Sequence, residues 1–166
     1  MIKPLHILID GADGTGKTTL VQMLGRYYDI PTIKMPVPQS EVRSGPIEEL
    51  SEMFNKTIMQ FHETDFILDR GFTSSIVYSR VFNRGYNLDY LKNIEQALNP
   101  QIFIITSGNP MRSDDIYSPD EVANVDSEFR ILANDRGYTV IYVDGKTITE
   151  VRDEIITELE NRNYVR

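Results

Sequence analysis

Three glycines, a lysine and a threonine stand at fixed spacing in Gly11-Ala12-Asp13-Gly14-Thr15-Gly16-Lys17-Thr18, with Thr19 following. The stretch satisfies G-x-x-x-x-G-K-S/T, a loop that wraps phosphate groups in nucleotide-hydrolysing and nucleotide-transferring proteins. Each residue type has its own task. The glycines let backbone N–H groups of Gly11 to Thr19 approach phosphate oxygens closely. Lys17 reaches the β- and γ-phosphates, and the Thr18 hydroxyl is placed to ligate Mg²⁺. A helix opening near Lys17 directs the positive end of its dipole at the same anions.

Asp69-Arg70 is the second pair with chemical content. A carboxylate ending an apolar strand beside such a loop is a second acidic partner for Mg²⁺, and Arg70 adds a planar cationic fork suited to phosphate. Phosphoryl transfer is mostly positioning and charge stabilisation, so a further cation on a closing loop is expected; Arg112, within the polar stretch 107–119, is the candidate. Asp114 and Asp115 read as solvated loop charges. His6 and His62 have neither metal-ligand nor triad spacing and read as structural.

These residues need elements to carry them. Leu5 to Asp10 is an apolar run of strand length before the loop, and Leu20, Met23, Leu24 and Tyr27 recur at helical spacing after it. A short second strand is expected over 31–36 and a helix from about Pro46 to His62. That helix carries Ile47, Leu50, Met53, Phe54, Ile58 and Phe61 on one side. Strands follow at Asp65–Asp69, Gln101–Thr106 and Tyr138–Val143, with helices over about 73–82, 88–98, 121–134 and 147–160. Apolar strands alternating with helices predict a parallel sheet covered on both faces, with ligands at the carboxyl ends of its strands. The glycine loop, Asp69-Arg70 and the 107–119 loop all fall at that edge.

Composition narrows the class. The chain of 166 residues is 40 % hydrophobic and 25 % charged, which fits one soluble globular domain over 1–166. No apolar run reaches membrane-spanning length and no signal peptide is evident, so no membrane partner and a cytoplasmic location are expected. Cysteine is absent, which excludes disulfides and thiolate metal sites. A net charge of −8 argues against nucleic acid as a partner.

Taken together, Gly11 to Thr19 and Asp69-Arg70-Gly71-Phe72-Thr73-Ser74-Ser75-Ile76-Val77-Tyr78 resemble the thymidylate kinases, which carry G-x-D/E-G-x-G-K-S/T-T early and D-R-Y/F-x-x-S-x-x-A-Y-Q in mid-chain. Asn99-Pro100-Gln101 and the elements from Glu121 to Leu159 resemble that family's later segments. The resemblance implies a three-layer α/β P-loop kinase fold with a five-stranded parallel sheet of order 2-3-1-4-5. It also implies ATP- and Mg²⁺-dependent phosphorylation of a deoxynucleoside monophosphate acceptor, and a homodimer. By position, Asp13 approaches the acceptor sugar or the reacting phosphates, and Arg70 holds the acceptor phosphate, with the motif's Ser74 on the same side. Tyr78 packs on the deoxyribose and Phe54 on the base.

The departures are equally specific. Ser79 stands where the family has glutamine, Lys34 where it places arginine, and no arginine follows Phe54 at the usual distance. Asp13 is followed by Gly14 rather than a basic residue, which leaves Arg112 as the loop-borne cation. The activity read from sequence is therefore kinase action on thymidylate or a related pyrimidine deoxynucleotide. The rival readings are a deoxynucleoside kinase with Asp69 as base toward a 5′-hydroxyl, a polynucleotide or modified-base kinase, and a nucleotide-binding regulatory ATPase.

Overall fold

In a computed structural model, residues 3–36, 47–85, 87–108 and 117–164 are described. Five strands form one parallel sheet: β1 (His6–Asp10), β2 (Thr32–Lys34), β3 (Phe66–Asp69), β4 (Gln101–Thr106) and β5 (Thr139–Tyr142), in the order β2-β3-β1-β4-β5. The helices are α1 (Lys17–Tyr28), α2 (Ile47–Met59), α3 (Phe72–Phe82), α4 (Leu88–Leu98), α5 (Pro119–Arg136) and α6 (Ile148–Asn161). Both the sheet order and the helix–strand alternation match the expectation from sequence.

Because successive residues of a strand point to opposite faces, each central strand feeds two cores. Leu8, Phe66, Leu68, Ile102 and Ile104 join the helices α3, α4 and α5 in one cluster. Ile7, Ile9, Ile67, Phe103 and Ile105 join α1 and α6 in the other. This double burial explains why the strands read as unbroken apolar runs. Helix ends are set by local chemistry: Ser118 and Thr147 each form a reciprocal capping box with Glu121 and Glu150. His6 is a strut, its ring nitrogens 2.9 Å and 3.0 Å from the carbonyls of Leu98 and Thr64. Among the described residues no helix is long and apolar enough to cross a membrane.

One expected face is different. In α2, Leu50 and Met53 are exposed, as is Phe61 beyond its end, whereas Ser51, Asn55 and Ile58 are buried and Phe54 is half-buried. The helix is turned so that Ser51 meets Ser75 of α3, hydroxyl to hydroxyl. The buried side of α2 therefore mixes Ser51 and Asn55 with Ile58 instead of following the apolar stripe.

Candidate functional site

The first parallel pairing of the sheet builds the site. Register sets Ile9 beside Asp69 and Lys34 beside Asp69, so the ends of β1, β2 and β3 come level at one edge. From β1 the chain enters the glycine loop at Gly11, whose φ of 140° is open to glycine alone. A Cβ there would lie 2.2 Å from the Ile105 carbonyl oxygen of β4. Gly11→Ala is therefore expected to cost about 3 kcal/mol or more and to lower Tm by roughly 6–12 °C in a thermal unfolding experiment. A Tm within 2 °C of the parent would contradict that packing.

The loop ends at Gly16, which caps α1 with no side-chain hydrogen bond. The first-turn amides of α1 are thus left for a ligand, at the positive end of the helix dipole. Around them lies a cavity of about 250 Å³ lined by Asp13, Gly14, Gly16, Lys17, Thr18, Thr19, Lys34, Asp69 and Arg70. That is smaller than the ~300–1,000 Å³ of a whole small-molecule site, so it fits phosphate groups better than an entire nucleotide. Three cations (Lys17, Lys34 and Arg70) and four side chains able to accept or ligate (Asp13, Thr18, Thr19 and Asp69) converge in it.

Lys17 is 6 % exposed, its ammonium donating to the Ala12 carbonyl and lying 3.3 Å from the Thr15 hydroxyl. Burial, and next the Arg70 guanidinium, pull its pKa down to about 7. Thr18 Oγ1 donates to Asp69 Oδ2 at 2.8 Å. A hydroxyl and a carboxylate oxygen side by side at the phosphate loop suit a hard divalent cation that keeps part of its shell as water and phosphate oxygen. Lys34 is exposed at the cavity rim, at the end of β2.

Arg70 occupies the left-handed region at φ 67°, an uncommon conformation for a non-glycine residue. This turn between β3 and α3 carries the guanidinium back over the loop. It donates to the Asp13 carboxylate, to the Gly11 carbonyl at 3.1 Å and to Ser74 Oγ at 3.4 Å, with Asp10 at 3.7 Å. Burial opposes its charge, but Tyr78 and the carboxylates of Asp13, Asp10 and Asp69 more than offset this, and its pKa lies above the ordinary arginine value.

Asp10 is a member of the site that the sequence did not single out. It is fully buried behind the loop and accepts from the Gly11 amide at 2.9 Å, from Ser74 Oγ at 2.8 Å and from Thr73 Oγ1. Its position just before the glycine loop was the available signal. Ser74 is thereby turned inward onto Asp10. Tyr78 is buried among aromatic rings, 5.8 Å from Phe82 and 5.6 Å from Tyr117 between centroids, with the Arg84 guanidinium 5.5 Å over its ring. Phe54, from α2, packs on the large core cluster to which Tyr78 also belongs. Arg112, Asp114 and Asp115 lie outside the described residues.

No protein-family model matches the chain. It is 26 % identical to a probable thymidylate kinase of Methanocaldococcus jannaschii, over 97 % of this chain and 98 % of that one. Among solved structures, thymidylate kinase from Candida albicans superposes with a TM-score of 0.67 at 22 % identity, covering 97 % of this chain and 93 % of the other. Deoxyadenosine kinase from M. mycoides, with the products dCMP and a flexible dCDP bound, gives 0.65 at 16 % identity, covering 95 % and 100 %. In sequence over nearly its whole length the chain is thymidylate kinase-like, and its fold is that of the P-loop kinases.

Proposed function

We propose that the protein is a phosphotransferase that moves the γ-phosphoryl group of ATP to the phosphate of a deoxynucleoside monophosphate, thymidylate or a related pyrimidine nucleotide. The observation that carries this reading is the convergence of Lys17, Arg70, Lys34 and the Thr18–Asp69 pair on one cavity at the mouth of the glycine loop. The bond between the γ-phosphorus and the β,γ-bridging oxygen breaks, and an acceptor phosphate oxygen forms the new one. ADP and a deoxynucleoside diphosphate leave.

The acceptor oxygen is already anionic at neutral pH, so the reaction needs no general base. Its demand is for cations that hold two anions together. Loop amides and Lys17 take the donor's β- and γ-phosphates. Arg70 exchanges its Asp13 partner for the acceptor phosphate, and Lys34 adds a point charge at the rim. Thr18 and Asp69 would hold Mg²⁺, which would supply charge neutralisation for the donor phosphates. With Asp69 engaged by Thr18 on the loop side, the geometry favours this role over abstraction of a proton from a sugar hydroxyl.

Lys17 gives the reading a pH signature. With its pKa lowered to about 7, the side chain is mostly neutral at pH 8 in the ligand-free protein. Polyphosphate favours the ammonium, so ATP binding at pH 8 takes up about one more proton than binding to Lys17→Ala. Calorimetry in buffers of different ionisation enthalpy reads this directly, and equal uptake by both proteins would contradict it. The function itself is tested by ADP formation with the four common deoxynucleoside monophosphates, the matching nucleosides and no acceptor. Turnover that depends on a pyrimidine monophosphate supports the reading. Turnover that depends on nucleosides alone, or on no acceptor, overturns it.

A further inference from the structure

Asp10 is a charged residue with no exposed surface, and it does not line the phosphate cavity in front of it. A carboxylate removed from water is costly unless donors and a cation compensate it. Three donors do so here, the Gly11 amide, Ser74 Oγ and Thr73 Oγ1, with the Arg70 guanidinium 3.7 Å away. Gly11 belongs to the loop. Thr73 and Ser74 belong to the first turn of α3, directly after Arg70.

The two terminal nitrogens of Arg70 have unlike surroundings. Nη1 faces fixed, buried groups: the Gly11 carbonyl at 3.1 Å, Ser74 Oγ at 3.4 Å and Asp10 at 3.7 Å. Nη2 donates to Asp13, whose side chain is 33 % exposed and lines the cavity together with Arg70. One arm is thus anchored inside the protein, and the other is held by a partner that a ligand can replace. Ser74 links the anchored arm to Asp10. Its hydroxyl donates to the carboxylate at 2.8 Å, so only its lone pairs are left for Nη1.

We propose that Asp10 is a positioning residue of the acceptor site: acting through Ser74, its carboxylate fixes the Nη1 arm of Arg70, so that the Nη2 arm stays aimed at the cavity when an acceptor phosphate replaces Asp13. This rests on the monophosphate kinase reading above. A guanidinium fixed on one side meets a phosphate without first losing rotamer freedom, and it holds the acceptor oxygen where transfer needs it. Charge alone predicts a different outcome. A buried anion near a phosphate site repels phosphate, so its removal by itself tightens every phosphate ligand. Positioning requires instead that loss of the carboxylate impair the acceptor selectively.

The test uses two substitutions and their combination. Asp10→Asn keeps the size of the side chain and one acceptor oxygen but removes the charge. Ser74→Ala removes the hydroxyl between Asp10 and Arg70. ATP affinity is measured by calorimetry, and kcat and KM are measured with thymidylate. Each single substitution is expected to lower kcat/KM for thymidylate roughly tenfold, with ATP affinity not weakened. The double variant is expected to be no worse than the poorer single one, because both act on the same arm. An Asp10 that merely supports the loop through Gly11 would weaken ATP and thymidylate alike, and a bystander charge would tighten both. Either result overturns the proposal, as do losses that multiply in the double variant. If Asp10→Asn does not fold, as judged by circular dichroism, Ser74→Ala decides alone, and an unchanged kcat/KM overturns it. A wild type that binds ATP yet phosphorylates no monophosphate instead marks the failure of the kinase reading, and the proposal falls with it.

Discussion

Replacing Lys17 by alanine is expected to lower the phosphoryl-transfer rate constant by about 10²–10³-fold, with the fold retained. The size of the effect follows from where the ammonium sits. It is buried beside the loop, 3.3 Å from the Thr15 hydroxyl, with Arg70 close enough to depress its pKa. In that setting charge on a transferred phosphoryl group is stabilised far more strongly than in water. Lys17 takes no part in either apolar core, so its loss leaves the packing of sheet and helices in place. Single-turnover measurements with saturating ATP separate this effect from binding. Transfer within a few-fold of the parent would show that the phosphate charge is balanced by another group.

The same substitution has a stability counterpart whose sign is fixed. Lys17 has a pKa of about 7 when folded, below the 10.5 of the free side chain. Between these values the unfolded chain binds the extra proton, so this group makes folding more favourable as pH rises from about 7 to about 10. Below pH 7 both states are protonated and the penalty of a buried ammonium is present in full. Lys17→Ala should lack that rise when unfolding free energies are compared across the window.

The second large effect is expected at Arg70. Arg70→Lys keeps the charge but loses the planar fork, which here reaches the Asp13 carboxylate, the Gly11 carbonyl and Ser74 at once. A lysine ammonium lacks the planar fork that spans all three and offers a phosphate a point charge. We expect kcat/KM for the monophosphate to fall about 10²-fold, in line with the loss of one or two charge-assisted hydrogen bonds. ATP affinity should change by no more than a few-fold, because Lys17 and the loop amides remain. Equal losses for donor and acceptor would place Arg70 on the donor phosphates instead.

Much of this site could be read from the chain because its chemistry is local in sequence. The glycine loop, Lys17 and Thr18 are contiguous, and their flanking strand and helix carry clear apolar periods. Asp69 and Arg70 are adjacent and end an apolar strand. What escaped is what depends on distant partners. Asp10 acquires its role from Thr73 and Ser74, more than sixty residues away, which only the β1–β3 pairing brings near. The inward face of α2 was concealed because Leu50, Phe54, Ile58 and Phe61 form a plausible apolar stripe. The hydroxyl contact between Ser51 and Ser75 on its inward side has no signature in hydropathy. The strand order came from family resemblance, since alternation alone fixes a parallel sheet but not its sequence of neighbours. The depressed pKa of Lys17 is a property of burial and of Arg70, and neither is visible in a motif.

The most direct test follows the phosphorus atom. The purified protein is incubated with Mg²⁺, thymidylate and ATP labelled at the γ-phosphate, and the products are separated by anion-exchange chromatography. Label appearing in thymidine diphosphate, in step with ADP and absent from the Lys17→Ala reaction, is the predicted result. Label released only as inorganic phosphate at a rate indifferent to thymidylate would contradict transfer to a monophosphate.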